Sequence, residues 1–586
     1  MRRNQRRLAG LLTIMLAVLG ISAGVHASRA HAAELDGRYR LVVLAFGEDD
    51  FLLLKASGGG DVALEVVDTQ DRILPGAKIA DVGWQDGRLT FTIESAAGET
   101  PFVGRLAADG DEAGMVLGTV TFRDSVYPAR LEPTEDEDVH ELTRSELPGK
   151  VAQASRTGEP EENIAALEAL LAETPGPQAH WIHTYLLQEA GAAELTAEAV
   201  GQHLETWFAA AERYGDAWLA QCQLKALSAL SGQEQYAEVA LEVAQAADAG
   251  LGDDASLSTQ ADVVTALEAA ARAAGQSDVA DAAAARLDAL QTALDEEYLA
   301  KVPPFEPDAF DGRESADADR VVLLELFTGA QCPPCVAADV GFDALIETYE
   351  STELVVLQYH LHIPGPDPLT TPEAEARQAY YGVGGTPSTF FNGEELAGGG
   401  GGMANARGKY QQYRGIIDQR LADQAAAEIE LNVVRSGDKI VINATAQAEV
   451  ETAAAGPAEP PADEDDADDE AEGTEPQLRL RFALVEESVR YVGGNNLRFH
   501  HHVVRAMPGG VEGSELVAGE VSSEAEIDLD ELRADHEKYL EEAAARRAFP
   551  KALPPMELEH LEVVAFVQDD ATKEVLHAVS MAVPAE

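Results

Sequence analysis

The chain has 586 residues and a net charge of −62, from 104 acidic against 42 basic side chains. That surplus of carboxylates repels nucleic-acid backbones and anionic lipid, so neither is an expected partner; it favours solubility, above all in salt that screens the self-repulsion. Length predicts roughly three to five domains, and three cysteines are too few for a disulfide scaffold.

Residues 1–32 read as an export signal. Arg2, Arg3, Arg6 and Arg7 give a basic start, Leu8 to Val25 is apolar, and Ala30-His31-Ala32 is a cleavage site, so the mature chain is expected to begin at Ala33. No cysteine follows the apolar stretch to carry a lipid. No later segment has the roughly 20 apolar residues of a membrane span. The expected location is periplasmic or extracellular, in the cell envelope.

Residues 33–136 read as a small β domain, a barrel or sandwich. Short alternating runs such as Leu89-Thr90-Phe91-Thr92-Ile93 are separated by Asp86-Gly87 and Asp109-Gly110 turns. No catalytic constellation occurs in them. Residues 140–300 change to alanine-rich helices. Ile164, Leu167 and Leu171 share one face, as do Val200, Leu204, Trp207 and Phe208. Breaks at Pro175-Gly176, Gly215, Gly232, Gly250 and Gly275 give units that resemble a tetratricopeptide-type (TPR-like) array, without a clear form of that repeat's residue signature. Leu219, Cys222 and Ala226 share a helical face, so Cys222 is expected as a buried packing thiol. Cys332 and Cys335 are left as a pair.

An acidic, proline-containing linker from Pro303 leads into residues 303–425. Here the apolar strand Val321 to Phe327 runs into Cys332-Pro333-Pro334-Cys335 and then a helix, Val336 to Tyr349. A helix start carries free N–H groups and partial positive charge, which favour thiolate over thiol. The thiolate attacks, and a second sulfur three positions on can resolve the mixed disulfide. Pro333 and Pro334 suit a first helical turn, where a missing N–H costs nothing. Cys332, as the cap, is expected to be the exposed, attacking thiol. A second buried strand, Leu354 to His360, a short helix, Pro372 to Tyr381, and Gly384-Gly385-Thr386-Pro387 follow.

This order of elements, with CxxC first and Gly-Thr-Pro about fifty residues later, resembles the thioredoxin superfamily. The resemblance implies a thioredoxin-like α/β domain over Pro303 to Gln424. It implies a cis Pro387 facing the cysteines, and Thr386 as the residue whose backbone pairs with a substrate peptide. It also makes Glu325, on the strand before CxxC, the candidate proton carrier for the resolving cysteine. The loop Thr328-Gly329-Ala330-Gln331 is one residue longer than that pattern. His360 and His362 alternate at the end of the second strand and, with the cysteines, offer ligands of the kind copper takes.

Residues 426–586 read as a β-sandwich-like domain with a helical insertion at Asp528 to Arg547 and an acidic insert, 456–477, expected to be disordered. The insert lacks the central glycine of a calcium loop. In His500-His501-His502 neighbours point to opposite faces, which opposes a three-ligand site. A thioredoxin-like domain followed by such a β domain looks like a family of bacterial envelope proteins without a defined activity. The expected fold class is therefore multidomain: small β domain, TPR-like helical region, thioredoxin-like domain and C-terminal β-sandwich-like domain. The expected function is an exported thiol–disulfide oxidoreductase that uses Cys332 and Cys335 on protein thiols and disulfides. It is expected to need a redox recycling partner and no cofactor or metal. The alternatives are a non-enzymatic envelope scaffold and a copper-type metallochaperone.

Overall fold

The structure is a computed structural model that describes residues 35–585, apart from 449–475 and positions 46, 59–61, 97, 109, 111, 123–124, 143, 157, 175, 253–254, 314, 316 and 552. The expected export signal and nearly all of the acidic insert lie outside the described residues. The chain divides into two units, Met1–Leu294 and Asp295–Glu586.

The first unit opens with eight strands: β1 (Gly37–Val43), β2 (Asp49–Ser57), β3 (Ala63–Thr69), β4 (Lys78–Gln85), β5 (Arg88–Ser95), β6 (Gly98–Leu106), β7 (Val116–Phe122) and β8 (Ser125–Pro133). They form one antiparallel sheet in the order β3-β2-β1-β8-β7-β6-β5-β4, nearly closed because β1 pairs with β8. Alternation decides which residues go inside. Leu89, Phe91 and Ile93 of β5 are buried, and Phe91 stacks on its cross-strand partner Phe102 at 4.8 Å.

Among the described residues eight α-helices follow: α1 (Leu147–Ala154), α2 (Pro160–Glu173), α3 (His180–Glu189), α4 (Ala197–Glu212), α5 (Asp216–Leu230), α6 (Ala237–Ala249), α7 (Leu257–Ala273) and α8 (Ser277–Leu299), whose residues from Asp295 on belong to the second unit. Their lengths range from 8 to 23 residues. Val42, Leu44 and Leu117 of the sheet enter the same core as Leu186, Trp207 and Trp218 of the helices.

In the second unit the elements are β9 (Val322–Thr328), α9 (Val336–Thr348), β10 (Leu354–His360), α10 (Pro372–Tyr381), β11 (Ser388–Phe391), β12 (Glu394–Ala397), α11 (Ala406–Arg420), β13 (Ala427–Ser436), β14 (Lys439–Ala448), β15 (Leu478–Arg490), β16 (Phe499–Ala506), β17 (Ser514–Glu515), β18 (Glu520–Asp528), α12 (Leu529–Arg546), β19 (Leu561–Asp569) and β20 (Val575–Ala582). Every residue of β9 and β10 is buried, as expected of apolar parallel strands covered on both faces.

The strand order overturns the expected fold class. β10 does not end a thioredoxin-like sheet; it pairs in parallel with β16 at Gln358 and Val503. One nine-stranded sheet results, β12-β11-β9-β10-β16-β15-β19-β20 with β17 beside β15. The anticipated thioredoxin-like α/β domain and β-sandwich are thus not separate bodies. The helices, unequal in length, show no TPR-like repeat, and the described chain is rich in β-structure.

The reason lies in packing. α9 and α11 cover one face of β9 and β10 through Phe342, Leu345, Tyr413 and Ile417. The other face, with Leu323, Phe327, Leu357 and Tyr359, shares a core with Val485, Val564 and Phe566 of the C-terminal strands. Each such side chain contributes roughly 1.5–3 kcal/mol on burial, which joining the two segments secures and separating them forfeits. The far end returns as well: Val575 N–H donates to Asn392 O at 2.9 Å. The small sheet β13-β14-β18 packs on β15 and β19 through Ile440, Ile442 and Ala525.

Candidate redox site

β9 delivers the chain to the turn Gly329–Gln331, and Cys332 follows. Cys332 N–H donates to Gly329 O at 2.9 Å, and Cys335 N–H to Cys332 O at 3.1 Å, which closes a 3-10 turn over Pro333–Cys335 before α9 begins. Cys332 and Cys335 are joined in a disulfide with their Cα atoms 5.3 Å apart. Pro333 and Pro334 occupy the turn's first positions and are exposed.

The Thr386–Pro387 peptide is cis and lies against this turn. Thr386 Oγ1 donates to Cys332 Sγ at 3.4 Å. Thr386 O sits 3.7 Å from the same sulfur, a contact only, since a disulfide sulfur carries no proton. The glycine run Gly398 to Gly402 crosses beside them. Gly401 N–H donates to Pro334 O at 2.6 Å, and Gly401 O accepts from Ala337 N–H at 2.9 Å. A Cβ on Gly400 would stand 2.0 Å from Pro334 O, so only glycine passes there. From the other side, Asn495 N–H donates to Ala330 O at 3.0 Å.

The sulfurs are more enclosed than the sequence suggests. Cys332 is 2% exposed and Cys335 0%, so the expectation of an exposed Cys332 is corrected. What faces solvent is the rim made by Pro333, Pro334 and, in part, Gly385 to Ser388.

Glu325 does not meet the cysteines. Its side chain points to the face of β9 opposite α9, where Arg377 of α10 pairs with it at 2.6 Å and the Tyr381 hydroxyl donates to it. Arg377 also donates to Gln568 Oε1 of β19 at 3.1 Å. Burial alone would lower the Arg377 guanidinium, but the Glu325 charge more than reverses this and raises it. The Glu325 oxygens thus accept from Arg377 and Tyr381, away from Cys335.

A second polar cluster lies beneath the turn, and sequence reading missed most of it. Asp339 of α9 accepts from Thr328 Oγ1 and from Gln358 Nε2, each at 2.9 Å. Gln358 Oε1 faces His360 Nε2 at 3.1 Å, and His360 Nδ1 faces Asp367 Oδ2 at 2.8 Å. Asp367 also accepts Ala330 N–H at 2.6 Å and Leu369 N–H at 2.9 Å. Burial drives the Asp339 carboxyl well above the ordinary carboxylate range, against the Thr328 hydrogen bond. Burial would raise Asp367 too, but His360 and the two backbone N–H groups hold it below that range. The two His360 ring nitrogens thus face Asp367 Oδ2 and Gln358 Oε1. The signals were an acid one helical turn after Cys335 in an apolar helix, and Gln358 inside an apolar strand.

His360 and His362 do not converge on the sulfurs. His362 Nδ1 accepts Asp367 N–H at 3.0 Å, and its Nε2 meets the Tyr539 hydroxyl at 3.1 Å. Among the described residues no group of three His, Cys, Asp or Glu side chains is arranged to hold a metal ion. His500 packs edge-on against His360 at 4.7 Å, while His501 and His502 face Asp343 and Glu562. Cys222 is free and fully buried, and burial pushes its thiol up to about 12. Among the described residues no helix is long and apolar enough to cross a membrane.

No family model and no curated protein matches the chain. Among solved structures, HBP35 of Porphyromonas gingivalis is similar at 15% identity over 46% of this chain and 77% of its own, with a TM-score of 0.30. A likeness at that score carries no argument about fold or activity.

Proposed function

We propose that the chain is an exported thiol–disulfide oxidoreductase that works on protein thiols, in the periplasm or outside the cell, through Cys332 and Cys335. The reading rests on the site and not on a fold class. The observation that carries it is the Cys332–Cys335 disulfide with Thr386 Oγ1 at 3.4 Å from Cys332 Sγ. Pro333 and Pro334 supply no N–H, and Cys335 N–H is taken by Cys332 O, so the Thr386 hydroxyl is the donor placed to steady a thiolate at Cys332.

The chemistry balances without a cofactor. A substrate thiolate attacks Cys332 Sγ, the Cys332–Cys335 bond breaks, and Cys335 leaves with the electron pair and takes a proton. A second substrate thiolate then attacks the substrate sulfur of the mixed disulfide and releases Cys332. The substrate dithiol has lost two electrons and two protons, and this chain has gained them. Run in reverse, the same steps reduce a substrate disulfide. Either direction needs a thiol or disulfide partner to restore the starting state. The exposed Pro333-Pro334 edge and the partly exposed Gly385 to Ser388 backbone offer an extended peptide a place to lie.

The near-complete burial of Cys332 favours a second reading, a structural disulfide in a non-enzymatic envelope protein. Insulin reduction by dithiothreitol separates the two. The oxidoreductase reading expects acceleration that C332S abolishes. No acceleration by the native protein, or acceleration that survives in C332S, leaves the structural reading.

A further inference from the structure

Asp367 reaches the disulfide turn by a single hydrogen bond, to Ala330 N–H at 2.6 Å, and His360 lies behind it at 2.8 Å. Both side chains have 0% exposure. Ala330 is two residues before Cys332, at most about 7 Å of chain. We propose that Asp367 and His360 are positioning residues that set the reduction potential of the Cys332–Cys335 pair from beneath. This rests on reading that pair as redox-active.

The argument is one of charge. Reduction breaks the S–S bond, with two electrons supplied by a thiol reductant that becomes a disulfide, and protons taken from water. Whatever favours thiolate at Cys332 favours the reduced form. The Asp367 carboxylate, joined to the turn through Ala330, opposes that thiolate, and the His360 ring nitrogen at 2.8 Å offsets part of its charge. Burial raises the Asp339 carboxyl well above the ordinary carboxylate range, and burial lowers His500 to about 3, so its ring stays neutral. Asp367 is the carboxylate hydrogen-bonded to the turn itself, and His360 is the ring that faces it. Asp367 also fixes the turn, so its carbonyl-type acceptor must be kept for the electrostatic part to be read alone.

The test is the equilibrium of the full chain with glutathione at pH 8, in D367N and H360Q. D367N keeps an acceptor for Ala330 N–H and removes the negative charge. Its equilibrium constant is expected to shift about tenfold toward the reduced form, or ~30 mV for a two-electron couple. H360Q takes the imidazole away from Asp367 and is expected to shift the constant the other way. The apparent pKa of Cys332, from alkylation rates, falls in D367N and rises in H360Q. Folded variants that shift in the same direction, or not at all, overturn the proposal. If D367N does not fold, a folded H360Q with unchanged potential overturns it alone. Opposite shifts in a chain that cannot turn over insulin sink the functional reading and leave this one standing; turnover without shifts does the reverse.

Discussion

Glu325 and Arg377 meet at 2.6 Å with side-chain exposures of 0% and 1%. The pair ties β9, which leads into the disulfide, to α10 and, through Gln568, to β19. It is one of the contacts that make residues of two expected domains a single body.

Removing one partner strands the other. R377M leaves Glu325 buried without its cation and is expected to cost roughly 3–5 kcal/mol. E325L/R377M, which removes both charges, is expected to recover most of that loss. Urea unfolding followed by far-UV circular dichroism measures both. A cost in R377M below about 1 kcal/mol contradicts the pairing.

The thiols can be counted. Of three cysteines, two are bridged and Cys222 is buried with its thiol pushed up to about 12. The oxidised native protein is expected to show no reactive thiol to a chromogenic disulfide, and the urea-unfolded protein one. Two or more reactive thiols in the unfolded oxidised protein contradict the Cys332–Cys335 bond.

Gly493 tests the enclosure of the site. A Cβ there would lie 2.0 Å from Ala330 O, so G493A must push the turn and the covering segment apart, at a cost of about 1–3 kcal/mol. In the reduced protein, alkylation of Cys332 by iodoacetamide is expected to speed up several-fold. An unchanged rate means that this segment does not limit access.

Acid weakens the helical region of the first unit. Burial holds His180 at about 4 and His183 at about 3, below the usual histidine value. Because these folded-state values lie below the unfolded one, the unfolded chain binds more protons as pH falls. The contribution is fully present above about pH 6.5 and is lost progressively toward about pH 4 for His180 and about pH 3 for His183, by roughly 2 kcal/mol per histidine at pH 5. The four tryptophans, Trp84, Trp181, Trp207 and Trp218, all precede residue 295, so their fluorescence during urea unfolding at pH 7 and pH 5 reads this region. H183F, which keeps a ring against Trp207, is expected to lose about half of the pH effect. Equal midpoints at the two pH values contradict it.

What the sequence reveals is local. The resemblance carried by Cys332-Pro333-Pro334-Cys335 and Thr386-Pro387 implies two turns that meet, and Thr386 Oγ1 lies 3.4 Å from Cys332 Sγ. The pairing of Gln358 with Val503 depends on which apolar faces find each other across a long stretch of chain, and no spacing encodes that. Arg377 shows the same limit. In Pro372-Glu373-Ala374-Glu375-Ala376-Arg377 it reads as one more charge on a polar helix, yet the fold buries it against a strand. Asp367 lies in Pro364-Gly365-Pro366-Asp367-Pro368, which reads as a turn; its role appears only when β10 brings His360 beside it. Glu325 was visible as an acid in an apolar strand, and its partner was not.

The most direct measurement of the central claim is trapping with C335S. Without the resolving sulfur, Cys332 is expected to hold its substrate, so the variant collects mixed disulfides with exported proteins that a reductant releases and that mass spectrometry places on Cys332. Mixed disulfides placed on Cys222, or none while C335S is folded and its Cys332 thiol reacts with iodoacetamide, would contradict a working Cys332–Cys335 pair.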